Sequence, residues 1–171
     1  MIRSLRITVL VDNIAREPGL LAEHGLSLWI EADGRRILFE TGQGQALKPN
    51  AGRLGIDLER ADAVVLSHGH YDHTGGLAEL PSLGAESAVY LHPLALEAKY
   101  SRMPTPSHKA IGIPDRAGRY LLNGSCRLVA TRSPTEVSSG VFVTGQIPRR
   151  TPFEDTGGPF FSSSATRRQI S

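Results

Sequence analysis

The sequence predicts an α/β fold of the α+β kind, arranged as one domain. Its 171 residues are enough to bury one hydrophobic core. A hydrophobic fraction of 40% beside 21% charged residues is typical of a folded, water-soluble protein. Strand-like apolar runs also alternate with short stretches of helical spacing. We therefore expect one domain over residues 1–160, followed by a disordered tail over residues 161–171.

The first part of the chain is predicted to be rich in strands. "SLRITVLVDN" contains several β-branched residues and predicts a strand that ends at Asp12. "GLSLWIEADGRRILFET" predicts a β-hairpin, because Asp33 and Gly34 form a favoured two-residue turn. Two sets of side chains alternate along the first arm of this hairpin, namely Leu26, Leu28 and Ile30 against Ser27, Trp29 and Glu31.

The middle of the chain alternates predicted helices and strands. Residues 46–54 have roughly helical spacing, with Pro49 near the helix start or at a kink. "AVVLS" and "AVYLH" predict strands, and the four consecutive apolar residues of the first favour burial on both faces. "TGGLAEL" and "PLALEAKY" predict short helices. Prolines and glycines between Ser101 and Gly118 predict a long loop.

The last third is predicted to contain two more strands, in "CRLVAT" and "GVFVTGQ". From "IPRRTPFE" onward the residues are mostly polar and turn-forming, with no apolar periodicity. No further element is predicted there.

Charge and cysteine content limit the classes of function. The net charge of +2 comes without a basic run, so we expect no nucleic-acid partner. The N-terminal apolar run is broken at Asp12 and is too short for a signal peptide or a membrane span. The single cysteine, Cys126, excludes an internal disulfide and is expected to be a buried small residue. We therefore expect a cytoplasmic protein that binds a small molecule and no membrane.

A cluster of metal-type ligands follows the predicted "AVVLS" strand in "VVLSHGHYDHTGGL". Residues two positions apart in an extended segment point to the same side, and the following glycines allow a close turn. Imidazole and carboxylate groups suit zinc first, and also iron or manganese. A solvated loop or a satisfied hydrogen-bond cluster is the alternative, but four such residues within six positions favour a site for two ions. The four candidate ligands are His68, His70, Asp72 and His73.

"SHGHYDH" resembles the His-x-His-x-Asp-His signature of the metallo-β-lactamase superfamily, whose fold is a four-layer αββα sandwich. "VLVDN", "EHGLSLWIE", "ILFETGQG", "NAGRLGIDL" and "TGQIPRRTPFE" occur in the order of one branch, which resembles 7,8-dihydropterin-6-yl-methyl-4-(β-D-ribofuranosyl)aminobenzene 5'-phosphate synthase. The resemblance covers nearly all of residues 4–155. It implies two divalent metal ions and a small-molecule substrate with a phosphate or pyrophosphate group, such as a pterin.

The resemblance also implies roles for the four ligands. His68 and His70 correspond to ligands of a first metal, and Asp72 and His73 to ligands of a second. Asp72 also corresponds to the residue that orients the attacking water, which makes it the catalytic candidate. The superfamily uses later ligands as well, a histidine, a bridging aspartate and a final histidine.

The later ligands have no counterpart here, because no histidine follows His108. The resemblance therefore covers mainly the N-terminal half of the sandwich, and the chain has the pattern of a C-terminally truncated member. The alternative function is a non-catalytic fragment with weak metal binding. A sheet face left exposed in this way would favour a homo-oligomer.

Other candidates have a structural interpretation beside the functional one. Asp12 and Asn13 either form a turn or bring a loop near the metals. Arg149 and Arg150 either clamp a substrate phosphate or are solvated. Four more residues are expected to be structural or solvated: His24, His92, His108 and Asp155.

Overall fold

The fold is organised around one mixed sheet. The structure is a computed structural model that describes residues 1–81, 83, 87–104, 107–123, 126–148, 150–151, 153 and 159–162. The strands are β1 (Leu5–Val11), β2 (Ser27–Ala32), β3 (Arg35–Phe39), β4 (Ala63–Val65), β5 (Ala88–Leu91), β6 (Lys99–Arg102), β7 (His108–Ala110), β8 (Arg127–Ala130), β9 (Thr135–Ser138), β10 (Val141–Val143) and β11 (Phe160–Ser162). The α-helices are α1 (Leu47–Arg53), α2 (Tyr71–Thr74) and α3 (Asp115–Leu122), and 3-10 turns cover Leu58–Arg60, Gly75–Glu79 and Pro93–Leu96.

The main sheet has the strand order β1-β2-β3-β4-β5-β8. β1, β2 and β3 pair antiparallel, whereas β3, β4, β5 and β8 run parallel. The predicted hairpin is confirmed as β2–β3, with Asp33 and Gly34 at φ angles of 47° and 83° in its turn. Because β3, β4 and β5 are parallel, the segments that follow them emerge at the same sheet edge.

One face of this sheet, which we term the helix face, carries the main core. α1, α3 and the turn Gly75–Glu79 supply Leu47, Leu77 and Leu121 to this core. Trp29 of β2 is buried among them, whereas Leu28 and Ile30 lie on the opposite face and are only partly buried. Both alternating sets of β2 are therefore in contact with protein, since each face of the sheet is at least partly covered.

The opposite face, which we term the open face, is only partly covered. The hairpin β9–β10 packs on it through three partly buried valines, Val137, Val141 and Val143. Beyond the hairpin, Leu5, Ile7 and Val9 of β1 form a row of apolar side chains, each at least half exposed. The open face thus carries apolar surface that the described residues leave in contact with solvent.

The prediction of a long loop between Ser101 and Gly118 is wrong. β6 pairs antiparallel with β7, and α3 begins at Asp115. These strands have the polar sequences KYSR and HKA, so no apolar alternation in the sequence predicts them. β9 was not predicted for the same reason.

The last described strand, β11, adds to the fold beside β6. β11 pairs with β6, and Phe161 and Ser162, the first residues of the predicted tail, lie in this strand. Residues 163–171 lie outside the described residues. No helix of the described residues is long and apolar enough to cross a membrane.

Candidate metal centre

The candidate ligands lie at the carboxyl edge of the parallel strands. Glu40 follows β3, the segment Ser67–His73 follows β4, and His92 follows β5. The backbone N–H and hydroxyl of Thr41 both donate to the carbonyl oxygen of His73, at 2.8 and 2.9 Å. The loop after β3 is therefore fixed directly to the histidine segment.

Glycines allow the histidine segment to pack against two neighbouring loops. A Cβ atom at Gly69 would overlap the carbonyl oxygen of Ala95. Cβ atoms at Gly75 and Gly76 would overlap the carbonyl oxygens of Gln43 and Thr41. The close approach predicted for Gly75 and Gly76 is present, and Gly69 has the same role.

The three imidazoles of the motif converge. The ring of His68 lies 4.6 Å from the ring of His70 and 4.4 Å from that of His73, measured between centroids. Phe160 of β11 packs on the outer side of His70, with ring centroids 5.4 Å apart. The sequence motif therefore forms a compact cluster of ring nitrogens.

Glu40 adds a buried carboxylate that the sequence analysis did not single out. Its side chain is fully buried, and its backbone has a φ of 59°. Its Oε1 accepts a hydrogen bond from the Ser67 N–H at 2.5 Å. Its Oε2 lies 3.2 Å from Nδ1 of His73, yet neither of these two buried atoms has an aligned hydrogen-bond partner. One ligand atom from each of Glu40, His68 and His73 lies within 4.8 Å of the others.

Asp72 lies on the other side of His73. Its Oδ2 is 3.3 Å from Nε2 of His73 and 3.3 Å from Nε2 of His24. Nδ1 of His24 in turn lies 2.9 Å from Oδ1 of Asn13. Asn13 and His24 therefore connect to the motif, while the Asp12 side chain accepts a bond from the Asn13 N–H at 2.7 Å, as in a local turn.

The environment shifts the protonation of the three motif histidines in different directions. Burial, together with the neighbouring His73 and His70, lowers the pKa of His68 to about 4. Burial also lowers the pKa of His70. The Glu40 carboxylate, within hydrogen-bonding distance, raises the pKa of His73 despite the opposing effect of burial. His68 is therefore neutral at pH 7, as a metal ligand must be.

These residues fit a divalent metal ion. Imidazole nitrogens and carboxylate oxygens are ligands for zinc, iron and manganese. Burying a carboxylate oxygen and a ring nitrogen without aligned partners costs folding free energy. A cation or a proton in contact with these atoms would remove that cost. The residues that would hold the metal are the four predicted ligands, His68, His70, Asp72 and His73, and Glu40 would support His73 from its Nδ1 side.

Among the remaining candidates, those that the structure describes lie outside this cluster. Arg150 is exposed and, among the described residues, forms no ion pair with the motif; Arg149 lies outside the described residues, as does Asp155. Nδ1 of His92 accepts a hydrogen bond from Leu94 N at the start of the turn Pro93–Leu96. His108 is exposed on β7 and contacts the ring of Phe161.

A cavity of about 650 Å³ opens beside the cluster. Its lining includes His68, His92 and Lys99 together with apolar side chains of β3 and β10. The Lys99 ammonium donates to the carbonyl oxygens of Leu94, Ala95 and Glu97, so it anchors the loop rather than facing the cavity unpaired. A small molecule with an apolar part would fit this space.

Comparison with known proteins gives consistent matches. A family model described as the metallo-beta-lactamase superfamily matches residues 21–157. Uncharacterized protein MJ0448 of Methanocaldococcus jannaschii is 34% identical over 149 residues, which are 86% of this chain and 56% of that protein. The 7,8-dihydropterin-6-methyl-4-(beta-D-ribofuranosyl)-aminobenzene-5'-phosphate synthase of the same organism is 29% identical over 139 residues, which are 74% of this chain and 45% of that protein.

A solved structure gives the same result for the fold. The crystal structure of Tm1679, a metal-dependent hydrolase of the beta-lactamase superfamily, superimposes with a TM-score of 0.70 at 32% identity. The match covers 94% of this chain and 54% of that chain. The chain thus spans about half the length of these relatives.

Proposed function

Because the chain belongs to the metallo-β-lactamase superfamily, we propose that it is a metal-dependent hydrolase-fold enzyme with a binuclear site. Its substrate is a small molecule with a phosphate or pyrophosphate group, and a pterin is the first candidate. The observation that carries this proposal is the convergence of one ligand atom each from Glu40, His68 and His73. Two buried atoms in this group, Oε2 of Glu40 and Nδ1 of His73, lack an aligned hydrogen-bond partner.

The arrangement of the side chains supports two ions. We assign His68 and His70, whose rings are in edge contact, to one ion and the paired Asp72 and His73 to the other. Each pair supplies two ligands, and His73 lies between Asp72 and Glu40. Zinc is our first choice of metal, with iron or manganese compatible with the same ligands.

The chain's residues have distinct roles in this proposal. Bound divalent ions supply Lewis-acid polarisation of the substrate and activate water at neutral pH. Asp72 accepts a hydrogen bond from the attacking water and orients it, because its carboxylate lies at the edge of the cluster. Glu40 orients the His73 ring by contact with Nδ1.

The substrate class rests on similarity and on the cavity. The relative named as an aminobenzene-5'-phosphate synthase supports a phosphate-containing pterin substrate. The cavity beside His68 combines polar and apolar walls, as such a molecule would require. Arg149, Arg150, Asp12 and Asn13 remain our candidates for substrate contacts, since arginines bind phosphates by paired hydrogen bonds.

The test is hydrolysis by protein loaded with zinc, manganese or iron. We would measure turnover of bis(p-nitrophenyl) phosphate, p-nitrophenyl phosphate and a pterin pyrophosphate, with Asp72→Asn as the comparison. We expect metal-dependent turnover of at least one substrate, and its loss in Asp72→Asn. Metal binding without any turnover would instead favour the alternative, a non-catalytic metal-binding fragment.

We also propose that the chain self-associates through the open face. The exposed row Leu5, Ile7 and Val9 lies on an edge strand, where a second copy would cover it. We expect light scattering to give a mass above the 18.5 kDa of one chain. Ile7→Lys should return it to one chain, and Leu122→Lys, an exposed change on α3, should not. A wild type that remains a monomer at high micromolar concentration would contradict this.

A further inference from the structure

His24 and His73 contact the same carboxylate oxygen of Asp72 in the same way. Nε2 of each ring lies 3.3 Å from Oδ2 of Asp72. Nδ1 of each ring is turned toward a side-chain oxygen, that of Asn13 at 2.9 Å for His24 and that of Glu40 at 3.2 Å for His73. A metal-binding histidine in proteins usually has its second ring nitrogen placed against such an oxygen.

The spacing is that of ligands of one ion. With metal–ligand distances of about 2.0–2.1 Å, neighbouring ligand atoms of a tetrahedral site lie about 3.3–3.4 Å apart. If Nδ1 of His24 donates its proton to Asn13, Nε2 carries a lone pair next to an acceptor-only carboxylate oxygen. In this tautomer a cation that contacts both atoms would satisfy the two facing acceptors.

The chain holds His24 in this position by its neighbour Glu23. Both carboxylate oxygens of Glu23 are used, since they accept hydrogen bonds from four consecutive backbone N–H groups at 2.8–3.1 Å. These donors belong to the loop before α1, residues 43–46. The segment that carries His24 is thus fastened to the same loop that packs against Gly75.

Two more contacts fix the backbone on either side. Gly25, at a φ of 135°, lies so close to Asp72 that a Cβ atom would overlap the Asp72 carbonyl oxygen. The buried Asn50 side chain bonds to the backbone of Leu10 and Leu21, which ties the β1–β2 connection to α1. The backbone is therefore fixed, and the His24 side chain, although 64% exposed, is held between Asn13 and Asp72.

We propose that His24 is a metal ligand, which binds the ion held by Asp72 and His73 through its Nε2. Asn13 is the residue that orients its ring. The proposal rests on the metal site of the proposed function and adds a third side chain to the half of that site that Asp72 and His73 supply. The ion is of the class that imidazole and carboxylate prefer, a divalent zinc, iron or manganese.

The experiment measures metal binding without any substrate. Zn²⁺ affinity and stoichiometry are measured by competition with a chromophoric chelator for wild type, His24→Ala, His24→Cys and the control His108→Ala. We expect His24→Ala to weaken one of two Zn²⁺ equivalents by at least about tenfold. His108→Ala removes an exposed histidine elsewhere, so it should leave both equivalents unchanged.

The cysteine variant tests coordination directly. In His24→Cys loaded with Co²⁺, a thiolate-to-cobalt charge-transfer band in the near ultraviolet is expected, because thiolates are strong ligands of such ions. Absence of this band, or unchanged Zn²⁺ binding in a folded His24→Ala, would overturn the proposal. If wild type itself binds no Zn²⁺, the metal site of the proposed function is wrong, a result distinct from the failure of His24 alone.

Discussion

Replacing His68 and His70 together with alanine is expected to remove the metal from the protein. The rings of both residues converge beside His73, and half of the predicted ligands would be lost at once. Elemental analysis of purified wild type should find divalent metal, up to two ions for each chain, and the double variant should fall to background. The magnitude is large because the remaining ligands cannot fix the coordination geometry alone.

A matched control and two contrary outcomes make this measurement decisive. His108→Ala removes an exposed histidine outside the cluster and should keep the metal of wild type. Metal retained in the double variant would mean that the ions bind elsewhere in the chain. Little metal in wild type would mean that the chain is a weak metal binder, as the alternative function states, and that catalysis belongs to longer relatives.

Glu40→Gln is expected to weaken metal binding while it preserves the shape of the side chain. The substitution removes the buried negative charge that faces His73 and keeps an oxygen for the Ser67 N–H. We expect metal affinity to fall by about 10–100-fold, the range found when a residue supporting a ligand is lost. At saturating metal this reduces metal-dependent stabilisation by about 1.4–2.7 kcal/mol.

Thermal unfolding with and without added Zn²⁺ measures this effect. The metal-dependent rise in melting temperature should shrink in Glu40→Gln far more than the melting temperature of the metal-free protein changes. Glu31→Gln is the control, because Glu31 lies on the neighbouring strand and pairs with Arg6 at the surface. An equal metal-dependent rise in Glu40→Gln and in wild type would show that Glu40 does not act on the site.

The strands with apolar alternation were predictable, and those held by backbone pairing alone were not. The Asp33–Gly34 turn and the buried run before His68 each carry a local signal, so β2, β3 and β4 were found. β6 and β7 consist of polar residues, and the sequence predicts a helix through Lys99 and Tyr100 and a loop from Ser101 onward, where the two strands pair with each other. β6 also pairs with β11, and no local window of sequence contains that second pairing.

The candidate site was predictable where its residues are close in sequence. His68, His70, Asp72 and His73 form one motif, whereas Glu40 and His24 come from separate connections. A signal for Glu40 did exist, because it directly follows an apolar strand and precedes Thr41–Gly42. Recognising it required knowing that β3 and β4 are parallel, which brings the ends of both strands to one edge.

The glycine contacts beside the cluster limit how the sequence can change. At Gly25, Gly69 and Gly76 the space for a side chain is already occupied by a backbone carbonyl of another segment. Any side chain at these positions would collide with backbone atoms, so glycine is required whatever side chains surround it. In a saturation library sorted for folded protein, these three codons should stay fixed as glycine, while Gly34 and Gly55, which have open space around them, should admit asparagine or aspartate.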